Sequence, residues 1–161
     1  MRRPNLRRRL ALPLDGENEK LVAAADEALT EFAHGTVLQR CEWSVSAEDG
    51  PLANTAHRGA IRELVAVDVL RARLRFRDRD SQRGMEDISR AIAAVRHLSL
   101  DGSLASALIA YKLEDQIVEI LARNPGSLSR TQLHELVARR NSLPTGSNLG
   151  EGPRSGETRP E

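Results

Sequence analysis

Residues 40 to 51, RCEWSVSAEDGP, bring together the chain's one cysteine, its one tryptophan and an adjacent pair of acids. The Cys41 thiol could act as a nucleophile if a histidine base came within hydrogen-bond reach, and His34 and His57 are the nearest histidines in sequence. The flanking residues supply no glycine-framed turn and no ready set of oxyanion donors, which favours a small buried thiol beside apolar neighbours. Trp43 has two roles open to it. Buried, it plugs the gap where a connector crosses the first two helices, with its indole N–H on a carbonyl or on an acid such as Glu42 or Asp49; exposed, it anchors a partner. Glu48 and Asp49 stand side by side, whereas oxygen-donor calcium loops place acids at alternate positions, so the following Gly50 and Pro51 mark a turn. His34, His57, His97 and His134 form no i, i+4 pair, and a lone cysteine permits no internal disulfide and removes multi-thiolate zinc sites. The sequence therefore assigns no catalytic residue, no metal and no cofactor.

A second group of chemistry-bearing residues surrounds Asp68. Arg71, Arg73, Arg75, Arg77 and Arg79 alternate along the chain. On a helix, alternate residues lie about 200° apart, so these arginines divide between two sides. Asp68 stands among Ile61, Leu64, Val65 and Ala72, one helical turn before Arg71. It is expected either to be half buried against an arginine or to line a polar groove, in which case Asp68, Arg71 and Arg75 would bind a charged ligand or peptide.

Apolar spacing sets the elements that must position these residues. Leu21, Ala25, Ala28, Leu29 and Phe32 recur at steps of three and four, with Asp15 or Asn18 as cap and Gly35 as stop. Thr36 to Val45 could form a strand, with Val37, Cys41, Trp43 and Val45 on one side, but no second strand exists to pair with it. A helical extension to about Cys41 followed by an extended connector is the expectation. A second helix starts from Asn54 or Thr55 and runs to about Arg77, and a third covers about Gln82 to Leu98 with Met85, Ile88, Ala91, Ile92 and Val95 on one face. In the fourth, Leu104, Leu108, Tyr111, Val118 and Leu121 form one flank and Ile109, Leu113, Ile117 and Ile120 another, which predicts packing on two sides. The sequence NPG closes it at Asn124 to Gly126. A short fifth helix opens on the capping box Ser129-Arg130-Thr131-Gln132 and packs through Leu133, Leu136 and Val137. The predicted fold is all-α, four to five helices in stacked antiparallel hairpins, over residues 15 to 143.

Composition agrees with one such domain. The 161 residues are 40% apolar and 29% charged, with 24 basic against 23 acidic side chains, so the chain as a whole has no electrostatic bias toward nucleic acid or membrane. Residues 1 to 14 form a basic arm carrying Arg2, Arg3, Arg7, Arg8 and Arg9, without the interleaved aromatics that would stack on bases. Residues 144 to 161 are rich in Pro, Gly, Ser and charge and are expected to be disordered. No apolar run reaches membrane-spanning length, and the apolar stretch after the basic start is short and broken by Pro13. The expected location is the cytoplasm, or export if a leader precedes this sequence.

The stretch LRARLRFRDRDSQRGMEDISRAIAAVRHLSLDG resembles a tetratricopeptide-type hairpin over roughly 40 residues. Ala72, Gly84 and Ala91 stand at small positions of the crossing and Ile88 at the large one, while Asp68, Arg71 and Arg75 replace apolar residues. From Asn5 to Pro144 the order NLRRRLALP, CEW, EDGP, an Arg-rich helix, RAIAAVRHL and a last short helix before LP is similar to a family of uncharacterised bacterial all-helical proteins. That resemblance implies a helical fold, an export signal in many members, and no established activity. The expected function is a protein–protein interaction module using Trp43 or the Asp68, Arg71 and Arg75 patch to bind another protein or peptide. The alternatives are a small-ligand or enzymatic domain using Cys41, and a nucleic-acid-associated protein acting through the N-terminal arginines.

Overall fold

Six helices form among residues 13–38, 56–100, 103–123 and 128–142, the parts of the chain that the computed structural model describes. They are α1 (Gly16–Ala24), α2 (Asp26–Thr36), α3 (Ala56–Arg77), α4 (Ser81–Ser99), α5 (Leu104–Arg123) and α6 (Arg130–Ser142). No strand occurs among the described residues. The basic arm up to Leu12, the connector containing Cys41 and Trp43, the NPG turn and the tail lie outside them.

The count exceeds the expected four to five because the first predicted helix is two. Asp15 caps α1, its carboxylate accepting from the Asn18 backbone N–H at 3.0 Å. At Ala25 the backbone leaves the helical region with φ −100° and ψ 4°, and Asp26 and Glu27 begin α2 with acids in its first turn. The break lets α1 lie against α3 while α2 reaches α4 as well. Gly35 falls inside the last turn of α2, which ends at Thr36, so the expected continuation to Cys41 does not form as one regular helix.

The centre of the fold is the α3–α4 hairpin. Phe76 faces Gly84, Arg75 reaches Asp87 and Asp68 faces Arg90, so residue numbers rise along one helix as they fall along the other. The turn is tight. The Arg79 N–H bonds to the Phe76 carbonyl and the Asp80 N–H to the Arg75 carbonyl, a Schellman closure in which Arg79 takes the left-handed φ of 63° where glycine is usual. Asp80 then caps α4 by accepting from the Arg83 N–H. Gly84 is needed for the crossing, since a Cβ there would stand 2.5 Å from the Phe76 ring.

Ala72, Ile88, Ala91, Val95 and Leu98 are fully buried in this hairpin, and Met85 and Ile92 almost so. The predicted face of the third helix is thus the core face of α4. α4 also touches α2, α5 and α6. α5 adds Ala110, Leu113, Ile117 and Ile120 to the same core, and α6 adds Leu136. The capping box of α6 forms as expected: the Ser129 N–H donates to Gln132 Oε1 at 2.9 Å and the Gln132 N–H to Ser129 Oγ at 3.2 Å.

Two packing expectations are corrected. α5 is covered on one flank only, leaving Leu104, Leu108, Tyr111 and Val118 between 60% and 75% exposed. Only Leu136 anchors α6, while Leu133 and Val137 stay exposed. The reason is shared. α5 meets both α3 and α4 with the same flank, α6 meets α4, and no other described element covers their opposite sides.

Candidate functional site

Asp68 is completely buried, and it does not stand alone. The α3–α4 register brings Asp87, equally buried, to the same layer, with Arg71, Arg75 and Arg90 converging on the two carboxylates. Arg71 donates to Asp68 Oδ1 at 2.7 Å from one turn along α3 and approaches Asp87 Oδ1 at 3.2 Å across the hairpin. Arg75 donates to Asp87 Oδ1 at 2.8 Å and to the Arg83 carbonyl at 3.1 Å. Arg90 donates to Asp87 from within α4 and places Nε 3.6 Å from Asp68 Oδ2. Arg71 further reaches the exposed Asp26 of α2 at 3.9 Å, so three helices meet in one ionic layer.

The second oxygen of each buried carboxylate has no hydrogen-bond partner. Burial therefore outweighs the nearby guanidiniums of Arg90, Arg71 and Arg75 and pushes the Asp68 carboxyl up from its ordinary value. Burial likewise lowers the Arg75 and Arg90 guanidiniums from theirs. Of the expected site residues, the fold unites Asp68, Arg71 and Arg75, with Asp68 in a buried pair that no solute touches. Arg75, about a quarter exposed, is the open edge of the layer. Trp43 lies outside the described residues, as does Cys41.

Sequence reasoning missed Asp87 and Arg90. The signal was present: Asp87 follows Gly84 by three residues and precedes Ala91 by four, on the core face of its own helix. An acid at that spacing requires a buried cation. The alternating arginines divide as helix geometry requires, with Arg71 and Arg75 directed to α4 and Arg77 paired with Glu19 of α1 at 2.9 Å.

Two apolar features complete the surface. A cleft of about 290 Å³ opens where α2, α3 and α4 meet, walled mainly by Phe32, Gly35, Ala60, Ile61, Leu64 and Ala94. His57 and His97, distant in sequence, both reach it. Among the described residues no group of three metal-ligating side chains exists. The other feature is the uncovered flank of α5. Leu104, Leu108, Tyr111 and Val118 follow steps of four, three and seven, the spacing of a helix–helix seam, with Asp115 in the layer between Tyr111 and Val118. Lys112 and Glu119 flank it. No described helix is long and apolar enough to cross a membrane. No family model matches the chain, and neither curated proteins nor solved structures gave a match.

Proposed function

We propose that this protein is a non-catalytic helical interaction module that receives an amphipathic helix of another protein along α5. The observation that carries this reading is the exposed seam of Leu104, Leu108, Tyr111 and Val118 on a helix whose opposite flank is core. A four-side-chain apolar stripe at heptad-like spacing selects another helix over a flat surface or a small solute. Asp115 in the middle of the seam calls for a lysine or arginine at the facing layer of the partner, because an unpaired buried carboxylate is costly. The ionic layer of Asp68, Arg71 and Arg75 has a supporting part here: it fixes the hairpin against which α5 packs. The buried small positions Ala72, Gly84 and Ala91 around Ile88 support reading that hairpin as a divergent tetratricopeptide-like unit.

A photo-reactive residue placed at Tyr111 in cells tests the assignment. The expected result is a crosslinked partner chain that is absent when the probe stands at exposed Lys20 on α1, and that is lost on Leu108→Asp with Val118→Asp. Crosslinks only between copies of this chain, or equal labelling from both positions, would reject the heterologous partner.

A further inference from the structure

Arg139 and Arg140 stand in the last turn of α6 and line a pocket of about 190 Å³ between that helix and α4. Ser89 of α4 and Ser142 of α6 bring two hydroxyls to it, and the buried Ile92 and Leu136 form its apolar part. Among the described residues no carboxylate lines it. Arg140 approaches Glu114 at 3.7 Å, but that acid lies closer to Arg96, at 3.1 Å. Arg139 pairs with no acid among the described residues. Two like charges thus share one small polar pocket without an acid of their own. We propose that this pocket binds the phosphoryl group of a small phosphomonoester.

Charge favours it. Planar guanidiniums present paired N–H donors that match phosphate oxygens, and hydrogen bonds between ionised partners are roughly twice as strong as neutral ones. The C-terminal end of α6 opposes an anion with about half a negative charge, which two full positive charges outweigh. The hydroxyls complement the guanidiniums. Ser89 Oγ donates to the Met85 carbonyl at 2.8 Å and Ser142 Oγ to the Arg139 carbonyl at 2.7 Å, so their lone pairs accept from a protonated phosphate oxygen or from a hydroxyl of the ester. Size limits the rest of the ligand: the pocket is smaller than the roughly 300–1,000 Å³ of drug-sized sites, which leaves space for a phosphoryl group and a few carbons against Ile92 and Leu136. A ligand seated there touches α4 and α6 together. Leu136 is the sole buried apolar anchor of α6, so binding should fasten that helix to the core. The site stands independently of the α5 reading.

Amide hydrogen exchange in the full chain, with glycerol phosphate as the probe and sodium chloride at equal ionic strength as reference, reads the site through α6. Exchange in α6 is expected to slow by about tenfold when the probe stands at about ten times its dissociation constant. Arg139→Gln, which breaks no ion pair among the described residues, should abolish the slowing while helical circular dichroism stays unchanged. Ser89→Asp sets a carboxylate in the pocket from α4 and should do the same; it decides the matter if Arg139→Gln frays α6. Arg123→Gln on α5 should leave the slowing intact. No slowing beyond the chloride reference would overturn the proposal. So would slowing that survives both pocket substitutions, which places the anion elsewhere, or equal slowing by acetate, which makes the site a carboxylate's.

Discussion

Asp68 and Asp87 sit in the interior because each is held by cations that its own helix and the facing helix supply together. Such a layer is asymmetric in its energetics. Removing one partner leaves the others desolvated and unpaired, and Asp68→Ala is expected to cost about 3–5 kcal/mol in urea unfolding. Arg71→Ala should be costly too, since that guanidinium touches both carboxylates. The double variant is expected to lose less than the sum by roughly 0.5–3 kcal/mol, because the residues share one network. Additive losses in the cycle would show that Asp68 is held chiefly by Arg90. Half of this layer was legible in sequence: an acid in an apolar stripe one turn before an arginine announces a local pair. Asp87 and Arg90 were not joined to it because their pairing depends on the register between two helices, which local spacing does not encode.

At the scale of elements, the α3–α4 turn concentrates two constraints. Arg79 holds a left-handed backbone that costs an L-residue roughly 1–2 kcal/mol, partly offset by the entropy a glycine loses on folding. Arg79→Gly should therefore raise stability by roughly 0.5–1 kcal/mol, read as a higher denaturant midpoint with unchanged slope. Gly84 works in the opposite sense. Gly84→Ala improves helix propensity but drives a methyl into the Phe76 ring, and a net loss of about 1–3 kcal/mol is expected. Adding Phe76→Leu to Gly84→Ala should recover part of that loss; no recovery would place the strain in the backbone. Helix ends read well from the sequence where a side chain makes the cap, as at Asp15 and Ser129. The division at Ala25 did not, since an unbroken apolar period runs through it and only the divergent contacts of α1 and α2 require the bend.

For the whole molecule, the α3–α4 hairpin is the hub, and the other helices pack around it. That arrangement leaves the α5 seam in solvent, and its removal should leave the fold intact. Leu108→Asp with Val118→Asp is expected to change unfolding free energy by no more than about 0.5 kcal/mol per site while abolishing partner crosslinking at Tyr111. A large loss of stability would mean that the flank is covered within the chain. By contrast, Leu136→Ala should release α6, whose sole buried apolar anchor it is, and hydrogen exchange should rise in α6 before α4.

By itself the sequence determined the helical class, the limits of most helices, the core face of α4 and the capping of α6, because each follows from neighbours three and four residues apart. The tertiary structure alone decided which flank of α5 is core, which cations reach Asp68, and that His57 and His97 share a cleft. Those outcomes depend on which faces the α3–α4 hairpin offers and on the register at which its helices meet each other and their neighbours, and both are properties of packed helices in three dimensions.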